Sequence, residues 1–329
     1  MNIGNINLGK QPVFFAPMED VSDPSFRRLC KEYGADMMYT EFISSDGLIR
    51  DAEKSLRKLK IADYERPVGI QIYGKDPEAM VAAAKMCEQA NPEVIDLNFG
   101  CPVKKVAGKG AGAGLLQNIP LMLEITEKVV KSVNIPVTVK TRLGWDETNK
   151  PIVTLAKQLQ DCGIAALTIH GRTRKQMYKG SADWSLIGEI KNNPEITIPI
   201  IGNGDITSPE IAKQNFDTYN VDAIMVGRGA IGKPWIFRDI KHYFKTGELL
   251  PPMSVAEKVE LAKRHLRYSL EWKGDKTGVF EMRQHFSNYF KGLHNFKSTR
   301  MRLVTEMNTD IINEILDEIK DKWGDEESV

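Results

Sequence analysis

Cysteine is scarce in this 329-residue chain, and what there is does not cluster. Cys30, Cys87, Cys101 and Cys162 are widely spaced, with no C-x-x-C among them. That spacing excludes a disulfide framework and a thiolate zinc site, and it fits a reducing cytoplasm. Long apolar runs are missing, so no membrane partner is expected, and Met1-Asn2-Ile3-Gly4 lacks the regions of a signal peptide. No His/carboxylate cluster has metal-ligand spacing, so no metal is expected. Charge of one sign is lacking too: the net charge is +1, so a polyanion would have to meet a local patch. No G-x-G-x-x-G follows the first apolar run, which removes the main support for a doubly wound dinucleotide fold. Nothing suggests an obligate assembly, and a monomer is expected.

What is present is an alternation of short β-branched runs with longer helical patterns. The runs are Val13–Ala16, Met37–Thr40, Val68–Gln71, Val94–Leu97, Val137–Lys140, Ala166–Ile169, Pro199–Gly202 and Ala223–Val226. They are continuously apolar, as expected of parallel strands buried on both faces. Helical patterns intervene, such as 76–89, with Pro77 in its first turn, and 120–131. Eight such units over about 230–250 residues predict an α/β fold of the (β/α)₈ TIM-barrel type.

Pro251-Pro252 ends the alternation, and the remainder is helical, so the chain divides into a barrel over 1–248 and a helical bundle over 249–329. Ser254-x-x-Glu257 has the form of a capping box ahead of Val255, Val259, Ala262, Leu266 and Leu270. Phe286, Tyr289, Phe290 and Leu293 form a second apolar face, and Val304, Met307, Ile311, Ile315 and Ile319 a third. Residues 325–329 read as a frayed acidic tail.

Functional residues of a barrel gather where its strands end. Those positions hold Pro17, Met18 and Glu19; Gln71; Asn98 with Cys101 just beyond; Lys140 and Arg142; His170 and Arg172; Asn203, Gly204 and Asp205; Gly227 and Arg228. Glycine beside a cation after the seventh and eighth strands suits a phosphate, although the same glycines could simply make tight turns. Lys140 needs a negative partner if buried; a reduced flavin ring or a salt bridge would both serve. Gln71 and Asn98 carry donors and acceptors that match a pyrimidine edge. In Asn98-Phe99-Gly100-Cys101-Pro102 the thiol is aimed by its neighbours, as a nucleophile, a proton donor or packing. Cys30, Cys87 and Cys162 fall in helical patterns and read as small buried apolar residues.

Together these stretches resemble the bacterial tRNA-dihydrouridine synthases, nearest to their B-type branch. The resemblance is carried by Ala16-Pro17-Met18, Asn98 to Pro102, Val139-Lys140-Thr141-Arg142, His170 to Arg174, Gly202 to Asp205 and Gly227-Arg228-Gly229, in order, over nearly the whole length. It implies a barrel that binds FMN and a C-terminal helical part that binds RNA. It also implies that Pro17, Met18, Gln71, Lys140, His170, Asn203, Gly204, Asp205, Gly227 and Arg228, with Glu19 beside them, hold FMN, and that Cys101 is the catalytic acid. NADPH, or NADH, would reduce the flavin; hydride would pass to C6 of a uracil and a proton to C5. Asn98 and Arg142 are candidates for holding the base. The alternative is a flavin barrel acting on a free pyrimidine, like the dihydroorotate dehydrogenases; an idle RNA-binding barrel is a third reading.

Residues 104–114, with four glycines, read as a lid that closes over the base. From Lys263 to Arg302 there are ten Lys/Arg against three Asp/Glu, and three of the five histidines. That basic stretch, interleaved with Tyr268, Tyr289 and Phe296, is the expected tRNA contact, extended toward the active-site mouth by Arg172, Arg174, Lys175 and Lys179.

Overall fold

Eight short parallel strands close on themselves in the computed structural model, which describes residues 1–324. They are β1 (Val13–Phe15), β2 (Met37–Tyr39), β3 (Val68–Tyr73), β4 (Val94–Phe99), β5 (Val137–Arg142), β6 (Ala166–His170), β7 (Ile200–Asn203) and β8 (Ala223–Val226). Each pairs in parallel with the next, and β8 returns to β1 through Val226 opposite Phe15. This is the TIM barrel that the alternation predicts, with its helices outside and both strand faces buried. The expected acidic tail, 325–329, lies outside the described residues.

Side chains fill the barrel in layers. At the N-terminal end Phe14, Met37, Tyr39, Val94, Ala166, Ile201 and Met225 form an apolar plug with Ile3 and Leu8. Ile3 comes from a hairpin, Asn2–Ile3 against Ile6–Asn7, that caps this end. Its strands are too short to show periodicity, which is why the sequence pattern did not reveal it. The helices begin where the chain supplies caps: Asp76 accepts the Ala79 N–H at 2.7 Å ahead of Pro77–Gln89.

After the helix Ile236–Thr246 the chain crosses to four further helices: Val255–Lys273, Asp275–Tyr289, Lys297–Thr305 and Thr309–Trp323. The capping box forms, with Ser254 and Glu257 bonded reciprocally. These helices pack on the barrel helix Pro24–Glu32, and the apolar core runs through both without a break. At the junction the Phe26 ring lies 5.3 Å from that of His265 and 4.9 Å from that of His285. Lys273 reaches across to pair with Asp23, both nearly fully buried.

The third apolar face differs from expectation. Met307 and Ile311 are 41% and 40% exposed, while Ile312, Ile315, Leu316 and Ile319 are buried. The chain leaves helix at Glu306, and Asn308 caps a new one by accepting from Asp310 N–H at 2.8 Å. The break resets the helical phase, so a single stripe drawn through 304–319 holds at Ile315 and Ile319 but fails at Met307 and Ile311. Among the described residues no helix is long and apolar enough to cross a membrane.

Candidate active site

The C-terminal ends of the strands surround a cavity of about 490 Å³. Of the residues expected there from the sequence, Pro17, Met18, Glu19, Gln71, Asn98, Cys101, Lys140, Arg142, His170, Asn203, Gly204, Asp205, Gly227 and Arg228 all line it. Arg172 and Arg174 do not.

The floor is a chain of hydrogen bonds between neighbouring strands. Asp96 Oδ1 accepts from the Thr138 hydroxyl at 2.6 Å, and its Oδ2 accepts from Gln71 Nε2 at 2.6 Å. Gln71 Oε1 accepts from Asn98 Nδ2 at 2.9 Å. Asn98 Oδ1 accepts the backbone N–H groups of Gly100 and Cys101 at 3.1 and 2.9 Å. On the far side Lys140 Nζ donates to Asn203 Oδ1 at 3.1 Å, and Asn203 Nδ2 donates to the Met225 carbonyl at 2.7 Å.

Burial sets the charge states. It pulls the Lys140 ammonium down to about 8, helped by Arg142 and opposed by Asp96 and Cys101. It raises the Cys101 thiol above its ordinary value, so the sulfur carries its proton at neutral pH. His170 is held well below its ordinary value by burial and by Arg142, Lys140, Arg172 and Arg228, which leaves a neutral imidazole. Burial would raise Asp205, but hydrogen bonds from Arg172 and the Ala182 N–H hold the carboxylate below its ordinary value.

Arg172 is 2% exposed. Its guanidinium grips both oxygens of Asp205 at 2.9 and 2.7 Å and donates to the carbonyls of Lys179 and Gly180. It is therefore a buried support, not the surface RNA contact that the sequence suggested. Arg174 stacks on Trp145, 4.8 Å from the ring centre. Arg142 is also buried, donating to the carbonyls of Gly100, Thr173 and Met177. The two buried arginines thus hold the loop after β6, which presents Tyr178 at the rim, half exposed, with Arg228 4.5 Å from its ring centre. Tyr178 carried no motif in the sequence, and only its place between Lys175 and Lys179 of the basic stretch marked it.

Two glycines behave differently from one another. Gly204 has φ +127°, and a Cβ there would come within 2.7 Å of Ala182 Cβ. A Cβ on Gly227 would meet only Ala16 Cβ and Met18 Sδ, at 3.6 and 3.7 Å, so its bare backbone faces open cavity.

Other expectations need correction. The expected lid reduces to the short helix Lys104–Ala107 and the turn after it; Ala113, Leu115 and Leu116 are core, and the Ala113 N–H bonds the Cys101 carbonyl. In the basic stretch Tyr268, Tyr289 and Phe296 are buried, as are His265 and His285. Lys263 pairs with Asp317, Arg302 with Glu318, and Lys273 with Asp23 and Glu281. Cys30 and Cys87 are buried, whereas Cys162 is half-buried at a helix end. At the rim Glu19, Asp20 and Glu41 bring carboxylate oxygens within 4.8 Å of one another, with Lys58 paired to Glu19 and Glu41.

The cations, the amides and the protonated thiol thus meet where TIM-barrel enzymes keep their active sites, at the C-terminal ends of the strands. Solved structures share the fold: 2-naphthoyl-CoA reductase gives a TM-score of 0.59 at 13% identity, over 74% of this chain and 51% of that one. Morphinone reductase in complex with tetrahydroNAD gives 0.52 at 12% identity, over 77% and 91%. The family model for dihydrouridine synthase matches residues 14–321. A tRNA-dihydrouridine synthase B of Shewanella oneidensis is 43% identical over 88% of this chain and 89% of its own. A probable tRNA-dihydrouridine synthase of Rickettsia conorii is 42% identical over 90% and 88%. The chain belongs to the dihydrouridine synthase family, on its bacterial B-type side.

Proposed function

We propose that this protein reduces the C5=C6 bond of a uridine in tRNA, using FMN in the cavity and NADPH as the electron source. The observation that carries the reading is the pairing of a protonated, buried Cys101 with a cation-rich cavity large enough for a flavin.

The residues present fit FMN. Lys140, Arg142, Arg172 and Arg228 face or underlie the cavity against Asp96, Asp205 and Glu19, the last paired with Lys58, leaving an excess of positive charge that suits a phosphate and an anionic ring. Gly227 opens the wall beside Arg228, where a phosphate would lie against bare backbone. Bound there, the flavin would supply hydride to C6 of the base.

The chain's own residues do the rest. The negative charge that builds on the base is quenched when the Cys101 thiol gives its proton to C5; the raised thiol value keeps that proton available at neutral pH. Asn98 holds the loop that carries the thiol, and an N–H of Asn98 is left to bond a base carbonyl. Lys140 stabilises negative charge in the cavity. The base must leave its stack to enter, which costs a few kcal/mol and least at a weakly paired loop position. The barrel, 1–248, would thus hold the chemistry and the helices, 249–329, much of the RNA.

The test is anaerobic: reduce the protein, add unmodified tRNA, and follow flavin absorbance. Prompt reoxidation with tRNA but not free uridine is expected. Reoxidation by a small pyrimidine instead would establish the free-pyrimidine reductase.

A further inference from the structure

Asp96 is buried in the barrel interior, 1% exposed, one layer beneath the cavity. Its carboxylate has one oxygen on Thr138 and the other on Gln71. Thr138 and Lys140 are two residues apart on β5 and therefore share its inner face, so Lys140 lies one layer above the Asp96–Thr138 contact. Lys140 is faced by Arg142 from its own strand, Asp96 and Cys101 from β4 and its loop, His170 from β6 and the Asn203 amide from β7. Asp96 is the one carboxylate in that set.

The amide chain above it has a polarity fixed at both ends. An ionised carboxylate only accepts, so Gln71 must turn Nε2 to Asp96. Backbone N–H groups only donate, so Asn98 must turn Oδ1 to Gly100 and Cys101. The one arrangement satisfying both has Asn98 Nδ2 donating to Gln71 Oε1, as observed. One N–H on each amide remains to meet a carbonyl-bearing ring edge in the cavity.

We propose that Asp96 is a positioning residue: its carboxylate is the counter-charge of Lys140 and the anchor that holds Gln71, Asn98 and hence the Cys101 loop in register. Its functional consequence rests on the flavin-dependent reading above, but the charge coupling belongs to the chain alone. Burial lifts Asp96 to about 6, against the hydrogen bonds and Lys140 that favour its charge, so it is ionised at neutral pH.

The experiment titrates Lys140 directly in the full-length chain freed of any flavin. Lysines are reductively methylated with ¹³C and read by NMR, and Lys140 is identified as the signal that disappears in Lys140→Arg. Asp96→Asn keeps the shape and an oxygen for Gln71 but removes the charge; the Lys140 midpoint is expected to fall by at least half a pH unit. An unchanged midpoint overturns the proposal. Coupling is reciprocal, so Lys140→Met should raise the Asp96 midpoint followed by carboxyl ¹³C, and this arm decides if Asp96→Asn does not fold. In the holoenzyme Asp96→Asn should lower kcat at least tenfold with KM for tRNA within twofold, and bring the basic limb of the kcat profile down with Lys140. An unmoved basic limb would likewise overturn it. Wild-type protein that takes up no flavin would defeat the proposed function while the NMR titrations still decide the role of Asp96.

Discussion

Asn98 Oδ1 accepts the backbone N–H of Cys101 at 2.9 Å, so the amide that floors the cavity also fixes the loop bearing the thiol. The two residues should therefore fail in different ways. Cys101→Ala removes only a proton donor; turnover is expected to fall at least tenfold while flavin and tRNA affinities hold. Asn98→Ala also leaves Gln71 Oε1 and two backbone N–H groups without their partner, which should cost about 1–3 kcal/mol of stability besides activity. Stopped-flow reoxidation with thermal melts checks both, and full activity in Cys101→Ala would remove the thiol from the mechanism.

The two glycines just beyond β8 separate folding from binding. Gly229→Ala would drive a Cβ into the Ile206 carbonyl oxygen, a clash with backbone that cannot relax cheaply, so the variant should fold poorly. Gly227→Ala meets only side chains at ordinary van der Waals distance and projects into the cavity. It is expected to fold where Gly229→Ala does not, yet to bind FMN at least tenfold more weakly. Equal FMN affinity would place the phosphate elsewhere.

How much of this was legible in the sequence follows from the range of each signal. The eight strands were visible because burial on both faces writes a continuous apolar run, and the cavity residues followed from their place at strand ends. Arg172 was misjudged because a sequence cannot show that Asp205, thirty-three residues on, lies opposite it. His265 and His285 looked like surface for the same reason: their burial depends on Phe26 and Asp23, from the other end of the chain. The reset of helical phase at Asn308 was local and could have been found, since Asn before an acidic residue and an apolar run is a cap signal.

RNA contact must now be sought where cations remain free to meet phosphate. Lys291, Lys297 and Arg300 are exposed and have no carboxylate partner among the described residues, unlike Lys263 and Arg302. Reversing all three charges should weaken tRNA binding and reduce the slope of log K against log salt by about 0.7–0.9 for each phosphate no longer neutralised. Lys263→Glu, facing Asp317, should mainly affect stability. Filter binding at several salt concentrations distinguishes them, and an unchanged slope in the triple variant would move the RNA to another face.

The junction of barrel and helices carries its own pH dependence. His285 is buried against Phe26, and burial pulls it from 6.5 to about 4, with Asp23 opposing and Lys273 assisting. His265, 4.4 Å away ring to ring, is held well below its ordinary value by the same burial and by His285. A depressed folded value means stability that is full above the unfolded value, near pH 6.5, and lost as pH falls toward 4. For His285 alone the loss by pH 4 is about 3 kcal/mol, at about 1.4 kcal/mol per unit. Chemical denaturation should therefore show a histidine-driven decline below pH 6.5, opposed over the same range by Asp96, whose raised value gains stability as pH falls through about 6. His285→Phe, which keeps the ring packing and removes the base, should flatten that decline without lowering stability at pH 8. If the decline persists unchanged in that variant, the histidine pair is not what ties the helices to the barrel as pH falls.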